Sequence, residues 1–282
     1  MDEQADLDPS GPDWSVSAGK AWVEVQDLTD SVYAPVERLL TDEVGDGPGR
    51  RVLDVGCGTG ATTVAIARRL GADARCTGID VSEPMVEAAQ ERARTAGVEA
   101  DFLLADAQTH DFGEGVFDQV VSRWGLMFFA DPVAAFSNLR RAAAGGRLRA
   151  ISWRSHTENP FMTVAESAAA PLLPGFEPRR SDDAPGQFGL ADEAATAEIL
   201  RDAGWEDVTL RPVDVTCSFP EAELVRYFLG LGPLARHLDG LSPAEVPDEL
   251  VGTVRRAFDP YLADGQVSFD AACWMIGASS PA

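Results

Sequence analysis

Short apolar runs alternate with amphipathic stretches through the first half of the chain. The apolar runs predict strands at residues 51–55, 75–79, 101–105, 116–122 and 147–153. Apolar residues at helical spacing predict helices between them, at 61–70, 83–96 and 132–144. Ser82 and Asp131 are expected to be N-caps, and Gly145-Gly146 is expected to end the last helix. Repeated strand–helix units predict an α/β, doubly wound fold with helices on both faces of a parallel sheet.

The regions flanking these units have a different pattern. Residues 1–13 are polar and predicted to be disordered, whereas 16–40 has helical spacing. After residue 153 the alternation loosens, and further elements are predicted at 191–203 (helix), 208–215 (strand) and 267–276 (strand).

These patterns suggest how the chain divides. We expect a disordered start with N-terminal cap helices over 1–44, followed by the main domain over 45–282. Insertions at about 154–190 and 220–264 interrupt the sheet elements of that domain. Long insertions of this kind are predicted to project from one end of the sheet as a helical lid.

Composition and charge narrow the classes of partner. The 282 residues carry a formal net charge of −23, and Lys20 is the only lysine. A surface with this much negative charge repels phosphate backbones and anionic lipid. We therefore expect no nucleic-acid partner and no membrane partner. The alternative is that the acidity serves solubility alone. The chain lacks a long apolar run and a basic, apolar N-terminal leader, and its four cysteines form no C-x-x-C pair, so a cytoplasmic protein is predicted.

A glycine-rich turn lies between the first predicted strand and its helix, in the sequence VLDVGCGTG at 52–60. Gly56, Gly58 and Gly60 allow positive φ and let a ligand approach the backbone at a helix N-terminus. The spacing also satisfies the loose dinucleotide fingerprint. Asp54 argues against a dinucleotide, because a carboxylate facing this space repels a diphosphate and suits a cation such as the sulfonium of S-adenosylmethionine. Its alternative role is to accept hydrogen bonds from loop amides.

Two further carboxylates follow the next two strands. Asp80 ends the second strand, where a carboxylate accepts hydrogen bonds from a ribose diol. Asp106 follows the third strand, where a carboxylate and an adjacent backbone N–H can recognise the edge of an adenine. The alternatives are a helix N-cap for Asp80 and an Asx-turn for Asp106.

The chain resembles the class I S-adenosylmethionine-dependent methyltransferases, in particular bacterial small-molecule enzymes similar to the ubiquinone and menaquinone methyltransferases. The resemblance is carried by VLDVGCGTG (52–60), GIDVS (78–82), LLADAQ (103–108), FDQVVSRWGLMFFADP (117–132) and LRRAAAGGRLRAISWR (139–154). It implies a Rossmann-like, seven-stranded, mostly parallel sheet with an antiparallel last strand. It also implies contacts with S-adenosyl-L-methionine: the methionine part with Gly56, Gly58 and Gly60, the ribose with Asp80, the adenine with Val81, Met85, Asp106 and Ala107, and the bound cofactor as a whole with Ser122.

The catalytic group is less clearly marked. His156 follows the fifth strand at the edge where a substrate would bind, and is our candidate general base. An exposed loop histidine is the alternative. Arg123 and Trp124 are candidates to touch substrate, with packing as the alternative. The acidic pair Asp182-Asp183 is interpreted as solvated, and no metal site is predicted.

Together these features predict a methyltransferase that acts on a small, fairly apolar metabolite, at oxygen in preference to carbon or nitrogen. Its partner is therefore a small-molecule methyl acceptor, and a homodimer is left open. One alternative is a nicotinamide-dependent oxidoreductase, which Asp54 and the lack of a Tyr-x-x-x-Lys pair disfavour. A second alternative is a protein that binds the cofactor without catalysis.

Overall fold

Five parallel strands form one part of the central sheet, and an antiparallel pair extends it. The computed structural model describes residues 16–45, 49–178, 186–238, 241 and 245–281. Within them the sheet order is β3-β2-β1-β4-β5-β8-β6, and the short β7 pairs with β8. The strands are β1 (Arg51–Val55), β2 (Arg75–Asp80), β3 (Asp101–Leu104), β4 (Gln119–Arg123), β5 (Arg147–Trp153), β6 (Glu206–Pro220), β7 (Leu262–Ala263) and β8 (Gln266–Ser279).

The direction of β8 matches the prediction from the sequence. This last strand runs antiparallel to both of its neighbours, β5 and β6. The remaining neighbouring pairs on the path are parallel. The doubly wound, mostly parallel fold with an antiparallel last strand is therefore confirmed, with the two-residue β7 as an addition to the seven predicted strands.

Helices surround this sheet. They are α1 (Val16–Glu24), α2 (Gln26–Asp42), α3 (Ala61–Leu70), α4 (Glu83–Ala96), α5 (Pro132–Ala142), α6 (Phe161–Ala169), α7 (Glu193–Asp202), α8 (Leu224–Gly230), α9 (Gly232–His237) and α10 (Asp248–Ala257). Asp131 caps α5 as predicted, since its carboxylate accepts a hydrogen bond from the Ala134 amide at 2.9 Å. Ser82 is the N-cap residue of α4, as predicted, but its side chain makes no cap hydrogen bond.

Several predicted boundaries also differ from the structure. The N-terminal helical stretch is two helices, which meet at Val25. β4 begins at Gln119 rather than at 116, and just before it the Asp118 carboxylate accepts a hydrogen bond from the Arg51 amide at 2.9 Å. β6 and β8 are longer than predicted, because they pair with each other along most of their length.

The N-terminal helices contact both the sheet domain and the second insertion. Gly19 of α1 packs so closely on the start of α4 that a Cβ there would lie 2.2 Å from Ser82 Oγ. On α2, the Tyr33 hydroxyl lies 3.0 Å from the Tyr227 hydroxyl of α8. The Arg226 guanidinium of α8 also pairs with Asp27. These contacts join the N-terminal helices to the insertion, whose role as a lid stays a prediction.

The expected disorder of 1–13 and the Asp182-Asp183 pair lie outside the described residues. All four cysteines are described, and each is a buried free thiol. In the described part of the chain, no helix is both long and apolar enough to cross a bilayer.

Candidate active site

The glycine turn connects β1 to α3 at the carboxyl edge of the sheet. Gly56, Gly58 and Gly60 all have positive φ, of 64°, 53° and 81°. The Gly56 and Cys57 amides donate to the Ile79 carbonyl, at 2.9 and 3.1 Å, which fixes the turn against β2. A Cβ at Gly56 or Gly60 would meet neighbouring atoms at 2.6 or 2.8 Å, whereas one at Gly58 would meet only Met85 Sδ, at 3.8 Å. The turn is therefore tightly packed at both ends and leaves room at Gly58.

Asp80 holds the turn from the end of β2. Its Oδ2 accepts a hydrogen bond from the Gly58 amide at 2.9 Å, and its Oδ1 accepts one from the Ser82 amide at 3.0 Å. Burial raises the pKa of Asp80, and the two amide hydrogen bonds limit this rise. The side chain remains partly exposed, and each carboxylate oxygen has a second lone pair for a ligand hydroxyl.

An exposed apolar surface formed by Val81 and Leu104, called the ledge below, lies beside Asp80. Val81 is 44% exposed and Leu104 is 51% exposed, among the few large apolar residues with so much accessible surface in the described chain. Leu104 is the register partner of Asp80, and the next amide, Ala105 N–H, donates to the Asp80 carbonyl at 3.0 Å. Met85 is buried beneath Gly58. A flat heterocycle placed here would cover apolar surface that water otherwise contacts.

Asp106 and Ala107 follow β3. The Asp106 carboxylate accepts a hydrogen bond from the Gln108 amide at 2.8 Å, which is the Asx-turn considered as its alternative role. It remains partly exposed. Ala107 is buried, and its carbonyl accepts from Asn138 Nδ2 at 3.0 Å.

Asp54 does not face the open cleft. It is 1% exposed, and its Oδ2 accepts a 2.6 Å hydrogen bond from the Thr63 hydroxyl of α3. Its Oδ1 is buried without a hydrogen-bond partner among the described residues. Burial raises the pKa of Asp54 to about 7, although Thr63 and Arg123 favour the charged form. The predicted orientation toward the ligand space is therefore corrected, because β1 is a central strand covered on both faces.

Ser122 and Gly125 join the end of β4 to the glycine turn. The Ser122 hydroxyl donates to the Val55 carbonyl at 2.7 Å and accepts from the Gly125 amide at 3.1 Å. A Cβ on Gly125 would lie 2.4 Å from the Val55 oxygen and 2.7 Å from Gly56 Cα. Only glycine fits this crossing of two backbones without a backbone shift.

Aromatic side chains pack next to this crossing. Trp124 has φ of 66°, an uncommon value for a bulky residue and a cost of about 1–3 kcal/mol. Its ring stacks on Trp153 at 4.3 Å with an interplanar angle of 9°, and the Tyr33 ring meets it edge-on at 4.8 Å. The partly exposed Trp124 lies at the outer side of a largely buried aromatic cluster, defined here as Trp124, Trp153, Tyr33, Phe161 and Phe269.

His156 is separate from these contacts. It lies in the turn after β5, partly exposed, with its ring 6.2 Å from the Phe188 ring. Asn159 is fully buried and fixes this turn, through hydrogen bonds to the Arg154, Ser155 and Ala272 carbonyls. No contact among the described residues joins His156 to the glycine turn.

Sequence comparison matches this chain to methyltransferases. A family described as a methyltransferase domain matches residues 52–146. The demethylmenaquinone methyltransferase of Renibacterium salmoninarum is 31% identical, over 62% of this chain and 74% of its own length. The nocamycin O-methyltransferase of Saccharothrix syringae is also 31% identical, over 68% and 71%. The solved structure of the YcgJ protein from Bacillus subtilis has the same fold, with a TM-score of 0.55, 16% identity and coverage of 87% and 98%.

The chain belongs to the S-adenosylmethionine-dependent methyltransferases. This confirms the resemblance seen in the sequence motifs and the predicted cofactor, and it excludes the nicotinamide-dependent alternative. The residues of the methyltransferase's cleft fit S-adenosyl-L-methionine. The turn leaves room at Gly58, the ledge of Val81 and Leu104 is uncovered, and a carboxylate with free lone pairs lies between them.

Sequence reasoning missed several residues of this methyltransferase site. The Thr63 hydroxyl donates a hydrogen bond to Asp54, and Gly125 packs against the Gly56 backbone. Leu104 forms the exposed apolar ledge together with Val81. Gly125 had a signal, because a glycine just after a strand end often marks a close backbone approach. Thr63 had none, since a threonine within an amphipathic helix is ordinary.

Proposed function

We propose that this methyltransferase transfers the methyl group of S-adenosyl-L-methionine to a small, fairly apolar metabolite, with oxygen as the favoured acceptor atom. The observation that carries the proposal is the contact between the glycine turn and the Ser122–Gly125 segment. Trp124 precedes Gly125 in the chain, so Trp124 and its aromatic cluster lie beside the glycine turn, and this supports the proposal. The names of the two relatives, a demethylmenaquinone methyltransferase and a nocamycin O-methyltransferase, support a small-molecule acceptor.

In this proposal the cleft residues hold different parts of the cofactor. Asp80 accepts hydrogen bonds from the ribose, and Val81, Leu104 and Met85 contact the adenine. Asp106 and Ala107 meet the adenine edge. Gly56, Gly58, Gly60 and Ser122 border the methionine part, while Asp54 acts from behind the turn through Thr63.

The chain's own contribution to the reaction is mainly alignment. When bound, the cofactor supplies a methyl group already activated on a sulfonium. Holding an acceptor in line with it can supply about 7–11 kcal/mol of the barrier reduction. The aromatic cluster would exclude water and orient an apolar acceptor by contact with the Trp124 ring.

A hydroxyl acceptor must also lose a proton as its oxygen gains the methyl group. We propose His156 as the base that takes this proton, because it follows β5 at the same edge of the sheet as the glycine turn. Catalytic contacts of this kind often tighten only when the substrate is bound.

The test is to mix the purified protein with S-adenosylmethionine carrying a labelled methyl group and with separated metabolite, RNA and protein fractions of a bacterial extract. Label in the metabolite fraction is expected, and NMR of the product then identifies the acceptor atom. Label confined to RNA or protein would contradict the proposal. Tight binding of S-adenosylhomocysteine with no label transfer to any fraction would favour the non-catalytic alternative. The cytoplasmic location, the possibility of a homodimer and the lid stay predictions.

A further inference from the structure

Arg92 of α4 contacts two separate parts of the chain, the helix α2 and the glycine turn. Its Nη1 lies 2.6 Å from Asp30 Oδ2 of α2. Its Nη2 donates to Gln26 Oε1, the first residue of α2, at 2.9 Å, and to the Thr59 hydroxyl at 3.3 Å. One guanidinium therefore connects the N-terminal helices to the glycine turn.

Its position makes these contacts costly to replace. The Arg92 and Asp30 side chains are each only 25% exposed, and Arg92 Nε is buried without a hydrogen-bond partner among the described residues. Burial of each charge carries a desolvation cost, and the ion pair offsets this cost. When one partner is removed, the other charge is left partly buried without that compensation. The planar fork of arginine donates in several directions at once, which a lysine ammonium at the same place does less well.

The same helices also reach the cofactor cleft at a second place. Gln26 directly follows Val25, where α1 and α2 meet. At the other end of this connection, Gly19 of α1 packs on Ser82, whose amide donates to Asp80. Thr59 lies between Gly58 and Gly60 in the turn. The helix pair thus contacts the turn through Arg92, and through Gly19 it contacts the start of α4, two residues after Asp80.

We propose that Arg92 is a positioning residue that couples the seating of the N-terminal helices to the conformation of the glycine turn. Cofactor binding then stabilises α1 and α2, and the seated helices strengthen cofactor binding by the same factor, because coupling between two sites is reciprocal. This inference rests on the proposed placement of the cofactor along Gly58 and Asp80.

The test compares Arg92→Ala with Arg94→Ala as a matched control. Arg94 lies on the same helix and is 71% exposed, and its ion pair among the described residues is a local one with Glu91. S-adenosylhomocysteine affinity is measured by calorimetry, and amide hydrogen exchange of α1 and α2 is measured with and without this ligand. We expect Arg92→Ala to weaken binding roughly tenfold and to abolish the ligand-induced slowing of exchange, within the usual range of such couplings. Arg94→Ala should leave both unchanged, and Arg92→Lys should restore part of each.

Thr59→Val keeps the test decisive if Arg92→Ala does not fold. It removes the hydroxyl that receives the Arg92 hydrogen bond and leaves the Asp30 ion pair in place, so it should weaken binding and reduce the ligand-induced protection of α2. Unchanged affinity and unchanged protection in either variant would overturn the coupling while leaving the proposed function intact. No binding of S-adenosylhomocysteine by the unmodified protein would instead overturn the proposed cofactor site, and the coupling with it.

Discussion

The buried carboxyl group of Asp54 makes the stability of this methyltransferase depend on pH in an unusual direction. Its pKa is raised to about 7 because burial disfavours the charged form and Oδ1 has no hydrogen-bond partner among the described residues. In the unfolded chain the pKa of an aspartate is about 4. The folded state therefore holds a proton between pH 4 and 7 that the unfolded state has lost. The contribution of Asp54 to the free energy of unfolding is therefore fully present below pH 4. It declines as the pH rises toward 7.

The size of the effect follows from the shift. One pKa unit corresponds to about 1.4 kcal/mol, so between pH 5 and pH 8 the group should reduce the free energy of unfolding by about 2–3 kcal/mol. Asp54→Asn removes the titration but keeps an oxygen that can accept from the Thr63 hydroxyl. Its amide hydrogens lack a partner in the position of Oδ1, and this adds a cost of about 1–3 kcal/mol that does not vary with pH.

The assay is urea unfolding followed by circular dichroism at pH 5, 6, 7 and 8, for the unmodified protein and the variant. The free energy of unfolding of the unmodified protein minus that of Asp54→Asn is expected to fall by about 2–3 kcal/mol from pH 5 to pH 8. Asp101→Asn, at the exposed start of β3, controls for a general change of charge in an acidic protein. A difference for Asp54→Asn that stays constant across this range would refute the reasoning.

Three more substitutions test the cleft and the acceptor side. Asp80→Ala should weaken S-adenosylhomocysteine binding by about 1–3 kcal/mol, because charge-assisted hydrogen bonds to the ligand are lost. Unchanged affinity in calorimetry would mean that Asp80 serves only to accept its two amide hydrogen bonds. Gly125→Ala should destabilise the fold by about 1–3 kcal/mol in thermal unfolding and weaken cofactor binding, because its Cβ would meet two backbones. Gly252→Ala is the control. Gly252 lies inside α10, and a Cβ there would meet only the Arg256 Nη1 atom among the described residues, at 3.4 Å, so this substitution should not destabilise the protein. His156→Ala should lower turnover by ~10²-fold or more with little change in cofactor affinity, and normal turnover would remove His156 from the mechanism.

The sequence predicted the sheet well because its signals are local. The apolar runs of β1 and β5 coincide with the observed strands, and Asp131 followed by Pro132 marks the start of α5. The break at Val25 could not be predicted, since no glycine or proline marks it. Pro35, which would suggest a break, lies inside a continuous α2. Packing of the helix on the sheet domain overrides the local preference there.

The orientation of Asp54 shows a different limit of sequence reasoning. Alternation along a strand assigns side chains to a buried and an exposed face only when one face is exposed to solvent. In β1 the four residues after Arg51 are all buried, so the pattern contains no information about which way a carboxylate points. Asp54 therefore acts on a ligand in the cleft through its electrostatic field across the turn, and not through direct contact. Asp80 was predicted from its place at the end of β2, but the position of Leu104 beside it follows from the register between β2 and β3, which only the assembled sheet defines.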